Sequence, residues 1–140
     1  LIIISAESQT GLTESSSDRI RKTGGIMSED QALTDAEIQE FLNTYSNWEL
    51  RDGWIRRKYG TPGWSHTLML VNTIGYLAEA GNHHPDLSVG YAAVTVKLQT
   101  HKVHAITGKD ISLAKKIEET VLWQPEADSA LDGYPKKWVH

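Results

Sequence analysis

There is no cysteine among the 140 residues, and that absence removes disulfides, thiolate nucleophiles and cysteine-ligated zinc from consideration. It also fits a reducing compartment. Long apolar runs are missing too: nothing approaches the roughly 20 residues that a membrane-spanning helix needs. The opening Leu1-Ile2-Ile3-Ile4 is too short even for the apolar part of a secretion signal. Positive charge is not in excess, the formal net charge being -4 at pH 7. The chain therefore has no general attraction to phosphate backbones or anionic lipid, and neither direct nucleic-acid binding nor membrane binding is expected. Imidazole, carboxylate, hydroxyl and lysine chemistry remain. With 39% hydrophobic residues, the length suits one domain with a core of its own and is short for two.

Residues 5–32 are rich in Ser, Thr, Gly, Gln and charge and carry no apolar period, so little there could offset the entropy of ordering. Residues 1–32 are read as a flexible extension, 33–123 as the domain and 124–140 as a tail; Met27 resembles a natural start. Within the domain, Thr34 and Glu37 form a capping box and Leu33 and Ile38 a hydrophobic staple, which predicts a helix over about 35–45. Asp52-Gly53 between Trp48-Glu49-Leu50 and the run Trp54 to Tyr59 predicts a hairpin. Thr61-Pro62 reads as the cap and first position of a second helix of about five turns, which ends at Gly81-Asn82 as a left-handed C-cap. A short strand around Leu87 to Gly90 should precede a half-buried one from Ala93 to Thr100, with Val94, Val96 and Leu98 on one face. Thr107-x-x-Asp110 caps a third helix that stops near Trp123-Gln124-Pro125. The order of elements predicts an α+β two-layer domain, a four-stranded antiparallel sheet with three helices on one face.

Ionisable residues gather at the ends of these elements. Glu79 and His83-His84 fall where the second helix stops, His101 where the last strand stops, and Asp110 where the third helix starts. Histidine is the side chain best suited to move protons near neutral pH, and converging imidazoles could supply both an acid and a base. Glu79, one helical turn before His83, is placed to orient that imidazole or raise its proton affinity. Each residue also has a plainer reading: a histidine at a helix C-terminus complements the dipole, Asp110 suits a helix start, and Glu79 suits a solvated surface. A metal site would draw on His83, His84, His101 and His104. Adjacent histidines rarely reach one ion, however, and the helical HExxH pattern is absent, so no metal is expected. His66 and His140 receive no role.

The pattern Glu79-x3-His83-His84-Pro85-x5-Tyr91-x9-His101-x8-Asp110 resembles the signature of the pterin-4a-carbinolamine dehydratases, and the wider resemblance runs from about Leu33 to Glu119. It implies a cytoplasmic, cofactor-free enzyme assembled as homodimers or homotetramers. The implied activity is removal of water from 4a-hydroxytetrahydrobiopterin to give quinonoid dihydrobiopterin, in tetrahydrobiopterin recycling beside an aromatic amino-acid hydroxylase. By the same resemblance His83 and His101 are the acid and base pair, His84 binds and positions the pterin, Glu79 supports them electrostatically, and Asn82 and Asp110 join His84 in contacting substrate. Two departures stand out. Asn82 occupies a position that is acidic in many members, and the stretch Tyr59 to Trp64 differs from their aromatic-rich entry to the second helix. The alternative implied by the family is a non-enzymatic binding module, acting in RuBisCO assembly or in dimerisation of a transcription factor. Assembly-type relatives tend to lose the paired histidines, which are kept here.

Overall fold

The structure is a computed structural model that describes residues 1–5, 30–133 and 138–140. The expected flexible segment and Met27 lie for the most part outside the described residues, as does Tyr134. In chain order the elements are β1 (Ile2–Ile4), α1 (Asp35–Thr44), β2 (Glu49–Arg51), β3 (Trp54–Gly60), α2 (Trp64–Gly81), β4 (Asp86–Val89), β5 (Ala93–Leu98) and α3 (Gly108–Val121). The strands form one antiparallel sheet in the order β1-β4-β5-β3-β2.

Local chemistry explains most boundaries. Thr34 and Glu37 exchange the two hydrogen bonds of a capping box at the start of α1, satisfying donors that have no intrahelical partner. Asp52 and Gly53 both take positive φ, 53° and 78°, as a two-residue hairpin loop of the mirror-image type requires, and they set Arg51 opposite Trp54. Alternation along β5 puts Val94, Val96 and Leu98 on the buried face. There they meet Ile55 and Tyr59 of β3, Leu70 and Ile74 of α2, and Ala114 and Ile117 of α3 in one continuous core. Phe41 of α1 stacks on Tyr45 and meets the edge of Trp48, with ring centroids 5.0 and 6.0 Å apart.

The α+β architecture stands as expected, with three corrections. The sheet has a fifth strand: Ile2, Ile3 and Ile4 pair with Val89, Ser88 and Leu87. This short strand is held along the free edge of β4 with its side chains still exposed. A three-residue strand has too few positions to display a period, so its pattern is not readable in the sequence. The second helix begins at Trp64 after Gly63, not at Thr61-Pro62. Thr61 ends the sheet, its N–H donating to the Ala92 carbonyl at 2.9 Å, and its hydroxyl goes to the Gly63 carbonyl at 3.2 Å and the Thr67 hydroxyl at 2.6 Å instead of to helix N–H groups, while the first helical bond runs from the Thr67 N–H to the Gly63 carbonyl at 3.0 Å. The end of the chain also returns to the domain. Val139 is buried, Trp138 packs against the core, and His140 exchanges two backbone hydrogen bonds with Gly60 at 2.7 and 3.1 Å.

One polar cluster crosses the core. Glu118 of α3 is buried, accepts hydrogen bonds from Trp48 Nε1 at 2.7 Å and from the Tyr59 hydroxyl at 2.9 Å, and ion-pairs with buried Arg57. A buried carboxylate survives only when such partners replace water. Burial pushes the Tyr59 phenol well above its ordinary value, against the opposing pull of Arg57. The folded state therefore favours the neutral phenol, and this contribution is complete below the ordinary tyrosine value near 10 and is lost as pH rises beyond it. Urea unfolding between pH 8 and 11.5 should show a fall in stability above about pH 10, and Tyr59→Phe should flatten that fall; an unchanged alkaline slope in the variant would place the titration elsewhere.

Candidate active site

The last turn of α2 delivers two histidines in a fixed geometry. Asn82 is left-handed, with φ 47°, and the His83 N–H reaches back to the Ala78 carbonyl at 3.1 Å, which closes the helix end as a Schellman motif does. Asparagine tolerates this conformation better than most residues. His83 leaves the helix half-buried, and its Nε2 lies 2.7 Å from Asp110 Oδ1. His84 points elsewhere, with its Nε2 2.9 Å from Glu79 Oε2 on the exposed side.

Asp110 begins α3 and is fully buried. Its Oδ2 accepts from the Thr107 N–H at 2.9 Å and from the Thr100 hydroxyl at 2.8 Å, while the Thr100 and Thr107 hydroxyls are 2.7 Å apart. One carboxylate thus completes the capping box of α3, fixes the end of β5 and holds His83. Since Asp110 occupies Nε2 of His83, Nδ1 is the only ring nitrogen of His83 left to exchange a proton.

His101 follows Thr100 directly, in a tight turn where the Thr100 N–H donates to the Ala105 carbonyl at 2.9 Å and His104 takes a positive φ of 49°. Its ring meets Trp54 of β3 edge-on, with centroids 5.5 Å apart, and its Nε2 is buried without a partner. A buried imidazole nitrogen left unpaired is uncommon and calls for an explanation such as catalysis. Lys97 also approaches Trp54, its ammonium 4.6 Å from the centre of the ring. Nearby, Asp30 bridges Lys102 and Lys109 at 3.1 and 2.8 Å, and hydrogen bonds from these two ammoniums hold its carboxyl below the usual carboxylate range.

Beside His83, between α2 and α3, opens a cleft of about 720 Å³ with Tyr76, Leu77 and Leu113 as apolar wall and Lys109, Ser112 and Lys116 as polar rim. His84 and His101 are not on its wall. Two expectations change accordingly. Glu79 partners His84, not His83, because the left-handed residue between helix and histidines breaks the one-turn relationship. Asp110 cannot contact a substrate directly, since it is fully buried with both oxygens engaged, and it acts on the site through His83. The adjacent imidazoles face different carboxylates, and among the described residues no three His, Cys, Asp or Glu side chains come together as metal ligands. Sequence reasoning gave Thr100 and Trp54 no part in the site and gave Thr107 only a capping role. The Thr107-Asp110 capping spacing was a signal for part of this network, whereas Trp54 read only as a strand former.

The sequence model for pterin 4 alpha carbinolamine dehydratase matches residues 31–120, so this chain belongs to the pterin-4a-carbinolamine dehydratase family. A relative from Aquifex aeolicus, provisionally named pterin-4-alpha-carbinolamine dehydratase, is 43% identical over 89 residues, covering 64% of this chain and 90% of its own. One from Roseiflexus castenholzii, named in the same way, is 37% identical over 89 residues, covering 64% of this chain and 96% of its own. The crystal structure of a transcriptional coactivator/pterin dehydratase from Brucella melitensis superposes with a TM-score of 0.60 at 29% identity, over 63% of this chain and 96% of that one.

Asp110→Asn keeps the shape but removes the charge that Thr107, Thr100 and His83 surround. It should lower unfolding free energy by about 1–3 kcal/mol, the range for a lost charged cap and an unsatisfied buried contact. Urea denaturation checks this, and a variant as stable as the parent would mean that the carboxylate does not hold the three elements together.

Proposed function

We propose that this chain is a 4a-hydroxytetrahydrobiopterin dehydratase, a hydro-lyase acting in tetrahydrobiopterin recycling in the cytoplasm and needing no metal or redox cofactor. The observation that carries this reading is the Asp110 network. It ties the His83 imidazole at the helix end to Thr100 at the strand end, the residue directly before His101, so that one buried carboxylate joins the two segments that carry the histidines. In the reaction a ring nitrogen of the carbinolamine loses its proton, the N–H electron pair becomes the new C=N bond, and the hydroxyl takes up a proton and leaves as water. One imidazole accepts the first proton and the other donates the second. His83, with Nε2 engaged by Asp110, exchanges its proton through Nδ1, and His101 is the partner. His84 binds and positions the pterin with Glu79 behind it, and Asn82 contacts substrate beside them.

In this reading residues 33–123 are the catalytic unit, 1–32 and 124–140 are extensions, and the working form is a homodimer or homotetramer serving an aromatic amino-acid hydroxylase. A second reading draws on the coactivator half of the Brucella protein's description and on the exposed Leu68, Met69 and Tyr76 along α2. It makes the chain a dehydratase-like binding module, the class to which RuBisCO assembly factors and transcription-factor dimerisation cofactors belong. Fold alone does not separate the two, but the retained histidines favour catalysis.

The decisive assay follows dehydration of enzymatically generated 4a-hydroxytetrahydrobiopterin by absorbance, after chelator treatment. The parent protein should accelerate the step well above the spontaneous rate, and His83→Ala and His101→Ala should each lose about a hundredfold, the usual worth of a general acid or base. A folded parent with no acceleration would remove the enzymatic reading and leave the binding module in its place.

A further inference from the structure

The edge of β3 that faces away from β5 is only partly covered. β2 pairs with it as far as Glu49 opposite Arg56, and His140 closes the far end through its two hydrogen bonds with Gly60. Peptide groups alternate in direction along a strand, so the N–H and C=O of Lys58, between those two pairs, point to the same edge. Among the described residues they meet no backbone partner there. The segment that would have extended β2 turns away, its Trp48 N–H donating to the Tyr45 carbonyl at 2.9 Å. In this gap opens a cleft of about 670 Å³, walled by Arg51, Arg56, Arg57 and Lys58, with His140 at one end and Glu49 as the acidic side chain among its lining residues. It shares no lining residue with the cleft beside His83.

Two buried donors distinguish this cleft from a merely solvated basic face. Arg57 is only 5% exposed and is anchored by Glu118, yet its Nε has no acceptor. Arg56 gives Nη2 to the Arg51 carbonyl at 3.1 Å and lies 3.7 Å from exposed Asp52, and its Nε is likewise buried and unpartnered. Buried donors are nearly always satisfied, and each one that is not costs free energy until an acceptor arrives. Consecutive residues project to opposite faces of a strand. Arg56 and Arg57 therefore approach the edge from its two sides, with the Lys58 N–H between them.

We propose that this edge cleft binds the phosphate group of a small phosphate monoester. Each arginine already gives one Nη to the protein, Arg56 to the Arg51 carbonyl and Arg57 to Glu118, and each keeps an unpartnered Nε. The donors lie on both faces of the strand and along its edge, an arrangement that suits the several oxygens of a tetrahedral dianion better than the two coplanar oxygens of a carboxylate. Lys58 adds a cation that forms no ion pair among the described residues.

The test is an NMR titration of the ¹⁵N-labelled full chain with phenyl phosphate, and separately with acetate, at ionic strength held constant with chloride. Phenyl phosphate should shift the Lys58 amide and the Nε–H signals of Arg56 and Arg57 saturably, and acetate should bind at least tenfold more weakly. Arg56→Gln should weaken phenyl phosphate binding about tenfold, the effect of one lost charge-assisted hydrogen bond. The exposed change Lys58→Gln should also weaken it, which keeps the test valid if the arginine variant misfolds. Shifts no larger than those caused by chloride, or unaltered affinity in both folded variants, would overturn the site. Acetate binding as tightly as phenyl phosphate would overturn its assignment to phosphate.

Discussion

The carboxylate of Asp110 is the contact on which the site depends. A carboxylate taken out of water costs several kcal/mol unless charge-assisted hydrogen bonds replace its hydration, and here the replacements come from three elements at once. The Thr107 N–H belongs to the start of α3, the Thr100 hydroxyl to the end of β5, and the His83 ring to the segment leaving α2. Burial makes the arrangement demanding, because none of the three partners can withdraw without leaving a charge unsatisfied. The same demand makes it precise in geometry, so an imidazole at the end of a long helix is held in one orientation.

A similar device stabilises the opposite end of α3, where Glu118 collects Trp48, Tyr59 and Arg57. The helix is therefore fastened at both ends by buried carboxylates, one near the candidate catalytic centre and one near the hairpin edge. Apolar packing of Leu113, Ala114 and Ile117 lies between them. Hydrophobic contact supplies most of the driving force for burial but is non-directional. The two carboxylates supply direction, fixing the rotation of α3 and with it the relation between His83 and the turn that carries His101.

Much of this was legible because it is local. The capping boxes at Thr34 and Thr107, the Asp52-Gly53 turn and the left-handed Asn82 each depend on residues within four positions, and each took the form that its chemistry predicts. The misreadings have equally specific causes. Helical spacing directs Glu79 toward His83, but that spacing ceases to apply once Asn82 takes the left-handed conformation. Thr61-Pro62 suits a cap and first helical position, but the Thr61 hydroxyl is taken by the Gly63 carbonyl and the Thr67 hydroxyl, which leaves Gly63 as the cap. The Glu118 cluster joins residues some 60 to 70 positions apart, and no local pattern announces such a contact. The histidine motif identified the family, while the partner of each histidine required the fold.

The central claim is that Asp110 fixes the tautomer of His83 and leaves Nδ1 to exchange the proton. Long-range ¹H–¹⁵N correlation of the histidine rings in the labelled protein, at a pH where His83 is neutral, tests it directly. The account predicts that His83 carries its hydrogen on Nε2 with Nδ1 bare, and that Asp110→Asn disturbs this preference. A His83 ring protonated on Nδ1, or one indifferent to the Asp110 substitution, would contradict it.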